Sequence, residues 1–249
     1  MTNKNNNSTM STVLTVLLNP IKHEKRTCET RRLGNRCDMD RPKRVLIGCE
    51  ESQTECLAFR SLGIEAYSCD IQPCSGGHPE WHIQDDVLKH FHDGWDLMIL
   101  HPPCTYLSNA GANALRKNGV IQKERERLGL EAREFFLKCL DAPCDRVAVE
   151  NPSPSAYWRL PPCSQFVEPY MFGDPYKKRT LLWLRGLPIL MATDICIPEF
   201  RWVSSTSHCK GIRKQPMPSM KFRDSKMRSK SFPGMAGAMA RQWGLGEYW

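Results

Sequence analysis

Read by its apolar and polar positions, the chain changes character at Arg44. Residues 1–43 are Asn- and Ser-rich and then basic, with only one short apolar stretch near Leu14–Leu18. That composition predicts a largely disordered basic tail, with one short helix near Leu14–Leu18. From Arg44 the pattern becomes regular. VLIG, 45–48, reads as a short buried strand, and Ser52 followed three residues later by Glu55 has the form of a capping box. Leu57, Phe59 and Leu62 continue a helix that Gly63 would stop, and IEAYSCDI, 64–71, predicts a second strand. Strand, loop, helix and strand in that order open a parallel α/β sheet.

The alternation continues. WDLMIL, 95–100, predicts a strand ended by Pro102 and Pro103. Leu128, Ala132, Phe135, Phe136, Cys139 and Leu140 fall at helical spacing within 120–140. RVAVEN, 146–151, predicts a strand stopped by Pro152 and Pro154, and TLLWL, 180–184, another. The pattern weakens past residue 190 and becomes basic, then FPGMAGAMARQWG, 232–244, returns with small residues at helical spacing. The organisation predicted is a tail over 1–43, a core over 44–190, a basic segment over 191–230 and a C-terminal helix over 231–249 that completes the core.

Composition narrows the class. At 249 residues, 41% hydrophobic and 25% charged, the chain has the make-up of a soluble protein with one full core. Its apolar runs are shorter than a membrane span, and Ser11–Leu18 lacks the basic flank and cleavage site of a signal peptide. The expected setting is the cytoplasm. Twelve cysteines scattered through predicted strands and helices, with no CxxC pair, suit reduced thiols better than a disulfide scaffold. Cys196, His208 and Cys209 lack a standard zinc spacing, so no metal is expected. The net charge of +8 divides into +6 over 1–44, −6 over 45–200 and +8 over 201–249. An acidic body with basic ends suits contact with a polyanion, and equally suits two solvated tails.

Chemistry in a parallel sheet gathers beyond the carboxyl ends of its strands. Gly48 closes the first predicted strand, and Asp70 closes the second 22 residues later. That spacing fits a glycine turn that accepts a cofactor and an acid that binds ribose hydroxyls, although an Asp there also suits a plain turn. Cys104 follows the strand at 95–100, and Glu150 and Asn151 end the strand at 146–151. Each has an ordinary structural explanation alone. Their coincidence at strand tips is the signal.

HPPCTYLSNAG, 101–111, resembles the Pro-Pro-Cys motif of the cytosine-C5 DNA methyltransferases. Glu150-Asn151-Pro152 resembles their Glu-Asn-Val motif, KKRTLLWL, 177–184, their basic motif before a strand, and FPGMAGAMA, 232–240, their last motif. The order agrees from about 44 to 244, and the short phage and prophage proteins of this type are the nearer likeness. The resemblance implies a Rossmann-like methyltransferase fold, with a mostly parallel sheet and helices on both faces. Only about 50 residues lie between Arg179 and Pro233, so the target-recognition domain is reduced or absent.

By the same resemblance Cys104 adds as a thiolate to carbon 6 of cytosine, Glu150 binds and protonates N3, and Asn151 positions the loop or the base. A cysteine of ordinary pKa, about 8.5, is mostly neutral at pH 7, and Arg179 with Lys177 would favour the thiolate. Pro102 and Pro103 stiffen the turn that aims the sulfur. The implied cofactor is S-adenosylmethionine, with Gly48, Glu50, Asp70, Ile71, Asp86 and Pro102 around it. Here the family's glycine-rich loop reads GCEESQ, 48–53, and its two acids suit the methionine amino group or would repel an anionic ligand. The implied partner is DNA, single-stranded or with its base flipped, held by the basic segment 201–230. Trp202 and Phe222 there suit base stacking or a small core. Two alternatives stand beside this reading: a non-catalytic DNA-binding protein of the same fold, and an enzyme modifying RNA or adding another group at carbon 5.

Overall fold

The computed structural model describes residues 41–198, 200–201 and 230–248. The expected helix near Leu14–Leu18, the basic segment with Trp202 and Phe222, and the zinc candidates His208 and Cys209 lie outside them.

Seven strands form the central sheet: β1 (Arg44–Gly48), β2 (Glu65–Cys69), β3 (His82–Ile83), β4 (Leu97–Leu100), β7 (Val147–Pro152), β8 (Gln165–Val167) and β10 (Thr180–Arg185). Two pairs lie outside it: β5 (Arg116–Lys117) with β6 (Val120–Ile121), and β9 (Tyr176–Lys177) with β11 (Phe200–Arg201). The order across the sheet is β3-β2-β1-β4-β7-β10-β8. Every pairing is parallel except those of β10, which runs antiparallel to β7 and β8. This is the Rossmann-like methyltransferase fold expected from the sequence. The strand order reverses direction between β1 and β4, and the crevice above that switch point is where such sheets bind ligands.

The central strands are apolar throughout because both faces are covered. Side chains alternate between two cores. Val45, Ile47, Leu97, Ile99, Ala148 and Leu182 face a cluster with Cys56 and Phe59 of α1 (Thr54–Ser61), together with Met235, Met239 and Trp243. Those last three come from α4 (Pro233–Met239) and the π-helical turn after it, Ala240–Gly244. Leu46, Met98, Leu100, Val147, Val149 and Trp183 face the other cluster, with Phe136 and Cys139 of α3 (Lys123–Leu140). A short helix α2 (Asn109–Ala112) follows the Cys104 loop. The C-terminal helix is also held by polar ties. The buried Gln242 amide bonds both the N–H and C=O of Met191 at 2.8 Å, and Trp243 donates to Pro188 O.

Two sequence expectations are corrected. Helix α1 begins at Thr54 rather than at Ser52, and its N-cap, Gln53, sits in the left-handed region with φ 58° and no side-chain cap bond. The helix is capped from outside. The Glu50 carboxylate accepts from Glu55 N at 2.7 Å and from Cys56 N at 3.3 Å, in place of the serine. The short strands β3, β5, β6, β8 and β9 were not expected, since two or three residues carry no readable period.

Candidate active site

The carboxyl ends of β1, β4 and β7 lie side by side, and β10, being reversed, starts at the same edge with Thr180 opposite Pro152. The topology therefore brings the loops after Gly48, Leu100 and Asn151, and the Lys177–Arg179 stretch, to one rim.

The Cys104 loop is laced to the Glu150 loop. His101 N donates to Gly48 O at 2.9 Å, which extends the ladder between β1 and β4 by one bond. Asn151, 1% exposed, donates its side-chain amide to Pro102 O at 2.7 Å. Pro102 and Pro103 contribute no N–H of their own, so the loop's direction rests on such bonds to its carbonyls. Beyond Cys104, Ser108 N donates to Cys104 O, and Ser108 Oγ caps α2 by accepting from Gly111 N. Asn109 N donates to Ser153 O, and Ser155 N to Leu107 O. From α3, Arg125 donates to both Thr105 O and Gly111 O at 3.1 Å and lies over the Tyr106 ring. A β-carbon on Gly111 would sit 2.2 Å from Thr105 O, so this close turn requires glycine.

Cys104 is reduced and partly exposed. Burial pushes the Cys49 thiol up, and pushes Cys56, Cys69 and Cys139 up to about 12. Such thiols are poor nucleophiles at neutral pH.

A chain of buried polar groups runs behind this loop. His101 Nδ1 lies 3.3 Å from Glu150 Oε2, and its Nε2 lies 3.5 Å from Glu55 Oε1. The side chains of Glu55, His101 and Glu150 are 0%, 12% and 15% exposed. Glu50 and Ser231 also act on Glu55, whose two carboxylate oxygens are buried. Burial, then the charge of Glu55, push the Glu50 carboxyl well above its ordinary value. Burial acts the same way on Glu55, but the charge on His101, together with Glu50 and Ser231, outweighs it and holds Glu55 low. Burial opposes a proton on His101, yet the Glu55 charge and the Glu150 hydrogen bond raise it above its ordinary value. These directions favour a proton on Glu50 and on His101, and an ionised Glu55 between them.

The remaining expected residues fall into two groups. Asp70, Asp86 and the Gly48–Cys49 turn are gathered together, since both acids act on the Cys49 thiol. Asp70 Oδ1 accepts from Gln72 N, closing a turn, and Asp86 Oδ1 accepts from Leu88 N as cap of the 3-10 turn Val87–His90. Ile71 beside Asp70 is 74% exposed. An acid next to an exposed apolar side chain is a donor set that fits a ribose and its base, so Asp70 and Ile71 fit the nucleoside part of S-adenosylmethionine. Glu50 does not fit the expected contact with the methionine amino group, because its oxygens are turned inward onto α1 and Glu55. The second group is basic. Arg179 lies 4.0 Å from Glu168 and over the Phe166 ring, while Lys177 lies over the Tyr170 ring and also acts on Glu168. The cation that acts on His101 is Lys178.

Sequence reasoning missed His101, Glu55, Arg125 and Lys178. His101 directly precedes Pro-Pro, a position where a bulky ionisable group at a strand tip was a usable signal. The other three depend on packing between distant segments.

Among the described residues, no group of three His, Cys, Asp or Glu side chains could hold a metal, and no helix is long and apolar enough to cross a membrane. No family model matches the chain, and no curated protein matches it. Among solved structures, the crystal structure of the S. pombe Dnmt2 methyltransferase is similar with a TM-score of 0.36 and 18% identity. The similarity covers 59% of this chain and 50% of that one, so the chain spans about half the length of that relative.

Proposed function

We propose that this chain is an S-adenosylmethionine-dependent methyltransferase that acts on carbon 5 of cytosine in DNA through a covalent adduct on Cys104. The observation that carries the reading is the bond from Asn151 to Pro102 O, which ties the root of the cysteine loop to the residue after Glu150. A nucleophile and an acid held on tied loops suit a reaction that must attack one edge of a ring and protonate another.

Each residue then has a distinct task. Cys104 bonds to carbon 6, which turns carbon 5 into an enamine-like nucleophile. Glu150 hydrogen-bonds and protonates N3, so the incoming electron pair is not left as a charge on the ring. Asn151 and Arg125 hold the loop in place. Asp70 binds the ribose hydroxyls of the cofactor and Ile71 packs on its adenine, with Asp86 nearby to accept from the adenine amino group. Bound there, S-adenosylmethionine supplies the methyl group. Lys177 and Arg179, at the rim just before β10, meet the phosphate backbone, and binding weakens as salt rises. The target base is single-stranded or flipped, because carbon 6 is covered in a stacked duplex.

The test is transfer of labelled methyl groups from the cofactor to DNA, with nucleosides identified by mass spectrometry. Cys104→Ser should lose at least about a thousandfold in rate, and Glu150→Gln about 10²- to 10⁴-fold, with unchanged melting temperatures. Equal labelling by Cys104→Ser and the parent would defeat the assignment. The inward turn of Glu50 favours a second reading, a DNA-binding protein of the same fold without turnover. That reading is chosen if calorimetry detects no cofactor binding while DNA still binds.

A further inference from the structure

The position before Pro102 is held by an imidazole clamped between two carboxylates, an arrangement that none of the proposed chemistry above requires. Glu55 approaches from α1, Glu150 from β7, and Lys178 acts from the stretch before β10. Ser231, ahead of α4, and Glu50, from the loop after β1, also act on Glu55. The geometry repeats a general design, in which a buried carboxylate fixes one ring nitrogen and so decides what the other can do. An acid that delivers a proton and later takes it back needs a partner beside it to hold that proton.

We propose that His101 is the positioning residue and proton store of Glu150, with Glu55 as the fixed anion that keeps its ring oriented and charged. This rests on the reading of Glu150 as the group that protonates N3. As the sulfur of Cys104 bonds to carbon 6, the C5=C6 electron pair moves to form C4=C5. The C4=N3 pair moves to N3. Glu150 takes the Nδ1 proton of His101 at Oε2 and hands it to N3, ending as the carboxylate it began as. The imidazole is left neutral, with its remaining hydrogen on Nε2 facing Glu55. When N3 later gives the proton up, it passes back to Glu150 and the imidazolium is restored. Glu50 takes no part in this transfer. It keeps its own proton and shares it with Glu55, which limits the negative charge buried behind the ring.

The experiment has two arms. In the first, the intact protein with labelled histidine is titrated by NMR, with His101 assigned through its backbone. Its ring should stay imidazolium beyond the ordinary histidine midpoint of about 6.5, and Glu55→Gln should move the midpoint down. In the second arm, the rate of covalent adduct formation on 5-fluorocytosine DNA is followed against pH. His101→Gln should slow it by about 10²-fold and remove the basic limb of the profile, while leaving DNA affinity unchanged. A neutral His101 at pH 7 in the parent protein overturns the proposal, whether or not the variants fold. So does a His101→Gln variant with the parent's rate and profile. Failure of the parent to form an adduct on any DNA overturns the functional reading itself, and with it the destination of the proton.

Discussion

The loops leaving β1 and β4 start from adjacent parallel strands and end at the same rim, yet they are held by opposite means. The loop after β4 is fixed by prolines and by neutral bonds to its carbonyls from Asn151 and Ser108, with the permanently charged Arg125 donating to Thr105 O and Gly111 O. The loop after β1 is fixed by buried acids, with Cys49 and Gln53 in the left-handed region and Glu50 folded back as the cap of α1. Neutral bonds hold at any pH. Buried acids hold in a way that depends on how many protons they share. The difference teaches that the cysteine's aim is built to be constant, while the protonation of the groups behind it is adjustable.

The largest effect should come from breaking the neutral side. Asn151→Ala removes the donor to Pro102 O and leaves that carbonyl without its partner at a buried site. The expected cost is about 1–3 kcal/mol in chemical denaturation. Methyl transfer should fall by about 10²-fold, because a displacement of the nucleophile of about 1 Å is enough for that. An Asn151→Ala protein with full activity would mean the loop is aimed by something else.

A smaller effect tests the same loop from below. Trp158 closes the segment after β7 that carries Ser153 and Ser155, and it packs on Gly129 of α3. A β-carbon on Gly129 would lie 2.0 Å from the Trp158 ring. Gly129→Ala gains about 1 kcal/mol in helix propensity but overpacks a filled core at about 1–3 kcal/mol. A net loss of about 1 kcal/mol is expected in thermal unfolding. An increase in melting temperature would show that Trp158 moves aside at little cost.

The smallest effect sharpens the acidic side. The folded protein raises the Glu50 carboxyl above its ordinary value of 4.5, so Glu50 contributes stability at low pH that is lost as pH rises through its folded value. Glu50→Gln keeps an acceptor for Glu55 N and a donor for the Glu55 carboxylate, and has nothing to ionise. Its melting temperature should match the parent near pH 5 and exceed it by pH 8. Glu50→Ala, which removes the cap, should instead be less stable at every pH, by about 1 kcal/mol. Parallel pH curves for the parent and Glu50→Gln would contradict the proton assigned to Glu50.

The same contrast explains what could be read from the sequence. Strands β1, β4, β7 and β10 were legible because three or four apolar residues in a row are followed within a few positions by glycine or proline. The Cys104 loop was legible for the same reason, since proline states its own backbone geometry. The Ser52–Glu55 box was misread because a nearby acid, Glu50, outcompetes the serine, and nothing in local spacing distinguishes one cap from the other. The Glu55–His101 contact joins residues 46 apart and exists only once α1 packs on the sheet. Expected cofactor residues Asp70 and Asp86 were found at the rim, but with one oxygen each committed to a turn or a cap. Lys177 and Arg179 were expected beside the thiol, and they make contacts with Tyr170, and with Glu168 and Phe166, respectively. Long side chains leave a strand tip in any direction, so their placement cannot be read from order along the chain.

The central claim is that Cys104 attacks a pyrimidine ring, and intact-mass spectrometry on DNA carrying 5-fluorocytosine tests it most directly. With S-adenosylmethionine present, the fluorine blocks the final elimination. The account predicts a stable protein–DNA adduct that digestion maps to the peptide bearing Cys104. No adduct on single- or double-stranded DNA, or an adduct on any other cysteine, would contradict it.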